Sequence, residues 1–349
     1  MAYTTIDDPG IYFNTSAVWS GNAGTQTISG IGFQPNFTWI KNTNSTATHY
    51  LFDTVRGATK YIITSETNSE ATSATSLTSW NTDGFVSGSN NNLNGSGRTY
   101  VSWNWKAGTS FTNDASGTGI GSIDSTGSVN QDAGFSIVSY TGNSPTATTI
   151  KHGLNSVPQM IIFKRRVGAG NWSTFHQATG NTKALSLNTT AAPDTSAGYF
   201  NNTTPTSSVF SVANSGDTNS NGNAMIAYCF AEKQGYSKFG SYVGNGNADG
   251  TFVYTGFKPA FVITKASSSA GLSWSMHDNK RLGYNGGDRN VYANSANGEN
   301  TDNALDLLSN GFKSRSADGS TNSSGVTYIY MAFAENPFVT SSGVPACAR

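Results

Sequence analysis

One string of residues occurs three times in this chain. Gly32-Phe33-Gln34-Pro35-Asn36-Phe37-Thr38-Trp39-Ile40-Lys41 returns as Gly153-Leu154-Asn155-Ser156-Val157-Pro158-Gln159-Met160-Ile161-Ile162-Phe163-Lys164. It returns again as Gly256-Phe257-Lys258-Pro259-Ala260-Phe261-Val262-Ile263-Thr264-Lys265. A repeat constrains a fold more than local propensity does, because every copy must adopt the same unit. The period is roughly 100 residues, too long for a solenoid turn and suited to a small unit with its own core. Three copies of one unit also argue against a single active site as the organising feature.

The copies agree at further landmarks. Each opens with an aromatic, a glycine and an asparagine: Trp19-Ser20-Gly21-Asn22, Tyr140-Thr141-Gly142-Asn143 and Tyr242-Val243-Gly244-Asn245. After the repeated string come Leu51-Phe52-Asp53, Trp172-Ser173-Thr174-Phe175-His176 and Trp274-Ser275-Met276-His277-Asp278. A turn then leads into Phe85, Phe210 and Phe312. Each copy closes on an apolar strand, Tyr100 to Trp105, Met225 to Phe230 and Ile329 to Phe333. The first copy departs most, ending Lys106-Ala107-Gly108 where the others end Ala231-Glu232-Lys233 and Ala334-Glu335-Asn336.

Strand signals dominate. Short β-branched and aromatic runs alternate with Gly, Asn, Ser and Asp clusters. Phe135 to Tyr140 alternates in part, as a one-sided strand does. Ile161-Ile162-Phe163 and Met225-Ile226-Ala227-Tyr228 are continuous apolar runs, the pattern of strands buried on both faces. Helical periodicity is nearly absent, with weak one-turn candidates at 51–60 and 303–308. The expected fold is all-β: three antiparallel β-sandwich units in tandem, of jelly-roll or lectin-like type. Expected boundaries are an N-terminal arm at 1–12, units at 13–108, 134–233 and 236–338, and a C-terminal arm at 339–349. Residues 109–133 read as a Gly/Ser/Thr/Asn linker. The second junction, Lys233-Gln234-Gly235, is short. It should hold units two and three in fixed orientation and leave unit one freer.

Composition narrows the partners. Charged residues make up 11% of the chain, the formal net charge is zero, and aromatics reach 12%. A neutral chain without a Lys/Arg cluster has no electrostatic reason to bind nucleic acid or an anionic membrane. No apolar run approaches the roughly 20 residues of a membrane helix. The N-terminus lacks the features of a secretory signal. Cys229 sits mid-strand, where a buried thiol packs as a small apolar group. Cys347 lies near the chain end, free or available for an interchain bond.

Candidate chemistry is sparse. His176 and His277 read as equivalent, each a few residues after a Trp, and fit sheet-face histidines better than ligands. The remaining histidines are His49 and His152. Carboxylate pairs that suggest glycoside hydrolysis are Asp7/Asp8, Glu66/Glu70, Asp302/Asp306 and Glu232/Glu335. The last pair closes corresponding strands of separate units, so surface charge is the better account. Asn245-Gly246-Asn247-Ala248-Asp249-Gly250 is oxygen-rich but lacks EF-hand spacing, and a plain turn is the better reading. No G-x-S-x-G elbow is present. No cofactor, metal site or catalytic residue is expected. Trp39, Trp103, Trp105, Trp172 and Trp274 fall at repeat landmarks and are expected in the core. Trp19, Trp80, Tyr199 and Tyr284 lie near turns and are the candidates for stacking on sugar rings.

Met1-Ala2-Tyr3-Thr4-Thr5-Ile6-Asp7-Asp8-Pro9, the repeated Gly-Phe-Gln-Pro string, Leu51-Phe52-Asp53-Thr54-Val55-Arg56-Gly57 and Met331-Ala332-Phe333-Ala334-Glu335-Asn336-Pro337-Phe338 resemble virion appendage proteins of marine tailed bacteriophages. Those proteins are described as tail-fibre-like, with concanavalin-A-like or laminin-G-like sandwich units. The resemblance runs over nearly the whole chain and brings no catalytic residues. It implies a non-enzymatic virion protein, made in the host cytoplasm without a signal peptide, that serves as a tail fibre or spike in host attachment. A capsid decoration protein and a carbohydrate-binding protein are the alternatives, and a polysaccharide depolymerase is the weakest. The partners implied are other virion proteins through the terminal arms, and host-surface glycan. The chain forms either a homotrimer, as fibres often do, or by itself a pseudo-threefold unit.

Overall fold

The computed structural model describes residues 4–16, 18–281, 285, 289–302 and 304–337. The first unit contains β1 (Phe13–Thr15), β2 (Trp19–Ser20), β3 (Gln26–Ile28), β4 (Phe37–Asn42), β5 (Tyr50–Asp53), β6 (Lys60–Ile63), β7 (Ala71–Thr72), β8 (Leu77–Asn81), β9 (Gly84–Ser87) and β10 (Thr99–Trp105). The second contains β11 (Thr109–Asn113), β12 (Ser125–Asn130), β13 (Phe135–Thr141), β14 (Thr148–Lys151), β15 (Met160–Arg165), β16 (Trp172–His176), β17 (Lys183–Ser186), β18 (Asp194–Thr195), β19 (Val209–Val212) and β20 (Ala224–Phe230). The third contains β21 (Ser237–Val243), β22 (Phe252–Tyr254), β23 (Phe257–Ala266), β24 (Ser275–Asp278), β25 (Val291–Tyr292), β26 (Leu305–Leu308), β27 (Gly311–Ser314) and β28 (Thr327–Pro337).

The chain is all-β and antiparallel, as the strand pattern requires. Each unit pairs a large sheet with a small one. The large sheets run β1-β10-β4-β5-β6-β7 (with β2 also on β10), β11-β12-β13-β20-β15-β16-β17-β18 and β21-β28-β23-β24-β25. The small ones are β3-β9-β8, β14-β19 and β22-β27-β26. In every unit the closing strand pairs with the strand of the repeated string, so β10–β4, β20–β15 and β28–β23 are equivalent. The weak helical candidates at 51–60 and 303–308 are strand where they are ordered into elements, in β5, β6 and β26.

The three units do not form a row of beads. Each has a core between its own two sheets. The other face of every large sheet contributes to a fourth core shared by all three. Alternation along one strand shows this. Ile226, Tyr228 and Phe230 enter the shared core, while Met225, Ala227 and Cys229 enter the core of the second unit. Both faces of these central strands are dry, which explains the continuous apolar runs. Trp105, Phe230 and Phe333 occupy the same register position in the three closing strands. Their rings form a triangle with centroid separations of 6.2, 6.1 and 5.5 Å. A pseudo-threefold axis therefore passes through the shared core.

Three expectations are corrected by this closure. Residues 109–133 are not a linker: β11 and β12 form a hairpin that extends the second large sheet at β13. Phe111 and Val129 of that hairpin pack on the second core, and this burial offsets its polar composition. The first unit is not freer than the others, because Phe37, Trp39, Trp103 and Trp105 lie in the shared core. Of the proposed N-terminal arm, Thr4 to Tyr12 fold back onto the ring, with Ile6 in the shared core and Pro9–Ile11 forming a 3-10 turn capped by Asp8. The C-terminal arm and Cys347 lie outside the described residues.

Candidate functional site

Buried polar side chains at the repeat landmarks fasten this ring. Lys41, Lys164 and Lys265 end the repeated string and are fully buried. Each ammonium holds one carbonyl of its own unit and one of a neighbour. Lys164 Nζ reaches Gly170 O at 2.5 Å and, in the first unit, Thr67 O at 2.9 Å. Lys265 reaches Leu272 O at 2.8 Å and, in the second unit, Thr190 O at 3.3 Å. Lys41 reaches Ala47 O at 2.6 Å and, in the third unit, Ala296 O at 3.1 Å. The three contacts run 2→1, 3→2 and 1→3, so the ring closes. Burial lowers these ammonium groups, Lys41 to about 7 and Lys164 and Lys265 to about 8, because the charged form loses its hydration.

Indole groups reinforce the same seams. Trp172 Nε1 donates to Ile63 O at 2.9 Å and Trp274 Nε1 to Ser186 O at 3.0 Å. In the first unit His49 takes the equivalent place, accepts from Trp39 Nε1 at 2.9 Å, and is held neutral mainly by its burial.

Carboxylates run round the ring in the opposite sense. Asp53 is locked by Arg56 and accepts from Tyr228 Oη of the second unit at 2.7 Å. Asp278 pairs with Arg281 at 2.7 Å and accepts from Trp103 Nε1 of the first unit at 3.2 Å. In the second unit His176 occupies this position, opposite Met160 as Asp53 is opposite Phe37. Its Nε2 faces Tyr330 O of the third unit at 3.1 Å, and burial lowers it to about 4. His176 is thus equivalent to Asp53 and Asp278, not to His277. His277 takes the place of the core residues Phe52 and Phe175 and bonds Ser275 Oγ at 2.9 Å, both residues buried. That Ser–His pair has no face open to a substrate.

Four more of the paired carboxylates, Glu70, Glu232, Glu335 and Asp306, are engaged in ion pairs. Glu70 forms a two-toothed ion pair with Arg166 across the first seam, at 2.9 and 3.0 Å. Glu232 pairs with Lys238 at 2.7 Å, Glu335 with Lys258 at 2.8 Å and Asp306 with Arg315 at 3.0 Å. Among the described residues no group of acidic, His or Cys side chains is arranged to hold a metal ion.

The aromatic-Gly-Asn landmark closes the outer corner of each unit. Asn219, fully buried, accepts from Asn143 N at 2.8 Å and donates to Asn143 Oδ1 at 3.2 Å, Thr146 O at 3.0 Å and Ala213 O at 2.6 Å. Asn94 and Asn322 make the same set with Asn22 and Asn245. The glycine is required because a Cβ on Gly142 would stand 2.3 Å from Ser220 O. The loop 245–250 is thereby a closed turn, consistent with its plain reading. The second members of these pairs were not singled out in the sequence. Their signal was a constant spacing, six residues before Tyr100, Met225 and Tyr328. The buried lysines were visible as the shared last residue of the repeated string.

The sugar-stacking candidates are scattered. Trp19 is only 9% exposed and stacks on Tyr100 at 5.5 Å inside the first core. It turns inward because its strand faces the small sheet. Trp80 and Tyr199 are half-buried against the first and second cores, and Tyr199 Oη bonds Asp194 at 2.9 Å. Tyr284 lies outside the described residues. The structure does not bring these four together. Among the described residues the exposed aromatic rings are instead Phe252 and Tyr254, at 44% and 54%, on the outer strand of the third small sheet. In the sequence, Phe252-Val253-Tyr254 reads as an ordinary strand, and nothing local marks its two rings as exposed.

These features define a class: an all-β protein whose three sheet pairs close on one shared core. A family model described as a domain of unknown function, DUF7483, matches residues 8–337, and the chain belongs to that family. No curated protein matches it. Among the described residues no helix is long and apolar enough to cross a membrane.

Proposed function

We propose that this chain is a non-enzymatic structural protein of a bacteriophage particle, a tail fibre or spike-type appendage that mediates attachment to the host surface. The observation that carries the reading is the closed ring itself. Buried lysines, tryptophans and carboxylates are spent on the seams, and the small sheets are left to face outward. Such a body is rigid and presents several faces at once, so weak single contacts can add as avidity. The resemblance to virion appendage proteins supports the same reading. Working partners are other virion proteins and a host-surface glycan. The single chain supplies the threefold arrangement that fibres commonly obtain from three chains, so we read one chain as the working unit. A depolymerase is disfavoured because Glu232 and Glu335 are each engaged in a separate ion pair.

A second reading, a capsid decoration protein, is favoured by the pseudo-threefold axis through Trp105, Phe230 and Phe333. A body of that symmetry fits a threefold site. Cryo-EM of the particle that carries this chain separates the two. Density projecting from the tail tip or baseplate is expected for attachment, and density lying flat on capsid subunits assigns decoration. Mass spectrometry of purified particles that finds none of this chain would overturn both.

A further inference from the structure

The three outer strands β3, β14 and β22 are equivalent, since Ile28, Ile150 and Val253 oppose Phe85, Phe210 and Phe312. Their outward residues differ. The first unit presents Thr27 and Ser29 and the second Thr149 and Lys151, but the third presents Phe252 and Tyr254. The second unit also covers the flank of this strand, with Ser122 N donating to Thr149 O at 2.8 Å and Thr149 N to Ser122 Oγ at 2.8 Å. Two rings at alternate positions point the same way and stand about 7 Å apart along the strand. Neither ring is needed to seal the third core, which Val253 closes from the position between them.

Tyr254 also edges a recess. About 260 Å³ opens beside its ring, walled by Glu232, Gln234, Gly235, Ser237, Lys238 and Thr255 where the second unit passes into the third. Glu232 is held in place by Lys238 Nζ at 2.7 Å and by Phe239 N at 3.2 Å. The recess therefore combines an exposed aromatic face, a fixed carboxylate, an ammonium and an amide, with the charges paired to zero. It falls just below the volumes usual for drug-sized ligands.

We propose that Tyr254 and this recess bind a neutral sugar unit of a surface glycan, and that Phe252 supports a neighbouring ring of the same chain. A pyranose has an apolar C–H face that packs on an aromatic ring, and a rim of hydroxyls that both donate and accept. The wall supplies both complements. A charged peptide or nucleic acid finds no net charge here, and an apolar segment would have to bury the Glu232–Lys238 pair without solvent, which is costly. The inference deepens the attachment reading by naming the ligand class and the face that contacts it.

The test uses the full chain and saturation-transfer NMR with lactose, maltose, cellobiose and N,N′-diacetylchitobiose as probes. Transfer to the ring protons of at least one disaccharide is expected. Tyr254→Ala should weaken it roughly tenfold, equivalent to about 1.4 kcal/mol, while Tyr254→Phe keeps most of it. Tyr254 is exposed, so an unchanged melting temperature is expected for both variants and confirms that they are folded. No transfer to any probe, or equal transfer from Tyr254→Ala and the unmodified chain, overturns the proposal. Self-association that disappears in Tyr254→Ala also overturns it, assigning the face to a second copy. A negative result together with density at the tail tip removes the sugar site and leaves attachment standing. Binding together with flat capsid density does the reverse.

Discussion

At the scale of single residues, buried amides and ammonium groups settle this structure. Asn219 shows why. Its side chain sits in a dry corner, and four hydrogen bonds satisfy it. Truncation leaves Asn143 N and the carbonyls of Thr146 and Ala213 without partners, and an orphaned buried polar group costs about 1–3 kcal/mol. Asn219→Ala should therefore lower unfolding stability by about 3 kcal/mol, read from the midpoint and slope of a urea titration. A loss below about 0.5 kcal/mol would show that water replaces the amide. Half of this latch was legible in the sequence, because Asn22, Asn143 and Asn245 follow a recurrent glycine. Their partners lie some seventy-odd residues on in chain distance, and no local pattern reports such a contact.

At the scale of elements, strand type was legible and strand role was not. The apolar runs of β15 and β20 announced burial on both faces, but a sequence cannot say that two different cores lie on those faces. The segment 109–133 misled for a related reason. β11 and β12 are polar because one of their faces meets solvent, and they are ordered by the ladders that join β11 to β12 and β12 to β13. In the third unit the corresponding edge strand is β21, blunted by side chains. Glu232 accepts from Phe239 N at 3.2 Å, and Gln177 Nε2 donates to Phe239 O at 3.0 Å. Capping an open edge in this way discourages unwanted strand pairing. The seams between elements can be probed one at a time. Lys164→Met keeps the packed stem but strips the ammonium from Thr67 O and Gly170 O. We expect a loss of about 2 kcal/mol. Amide exchange should quicken at Gly170 and Glu70, whose N–H groups cross the first seam, while Gly271 at the second seam stays protected. Uniform quickening at all three amides would mean that the seams do not act locally.

At the scale of the whole molecule, the shared core makes three repeats into one cooperative body. Calorimetry should show one main transition instead of three, because unfolding any unit strips Trp105, Phe230 or Phe333 of its neighbours. The midpoint should also fall as pH drops from 6.5 towards 4. Burial lowers His152 and His176 from 6.5 to about 4, so across that window the unfolded chain binds more protons and stability declines. Separate transitions would contradict the shared core, and a flat midpoint across the window would show that these imidazoles titrate as if exposed.

The sequence by itself determined the all-β class, the threefold repetition, the five landmarks of each unit and the inward place of Trp39, Trp103, Trp105, Trp172 and Trp274. Those are local or periodic properties: alternation, turn residues and recurrence, all readable along one strand. Tertiary structure alone decided that the units close into a ring, that Lys41, Lys164 and Lys265 fasten it, that His176 stands where Asp53 and Asp278 stand, and that Phe252 and Tyr254 are exposed. Each of these depends on what the far face of a sheet meets. That is set by packing between residues distant in the chain, and no periodicity encodes it.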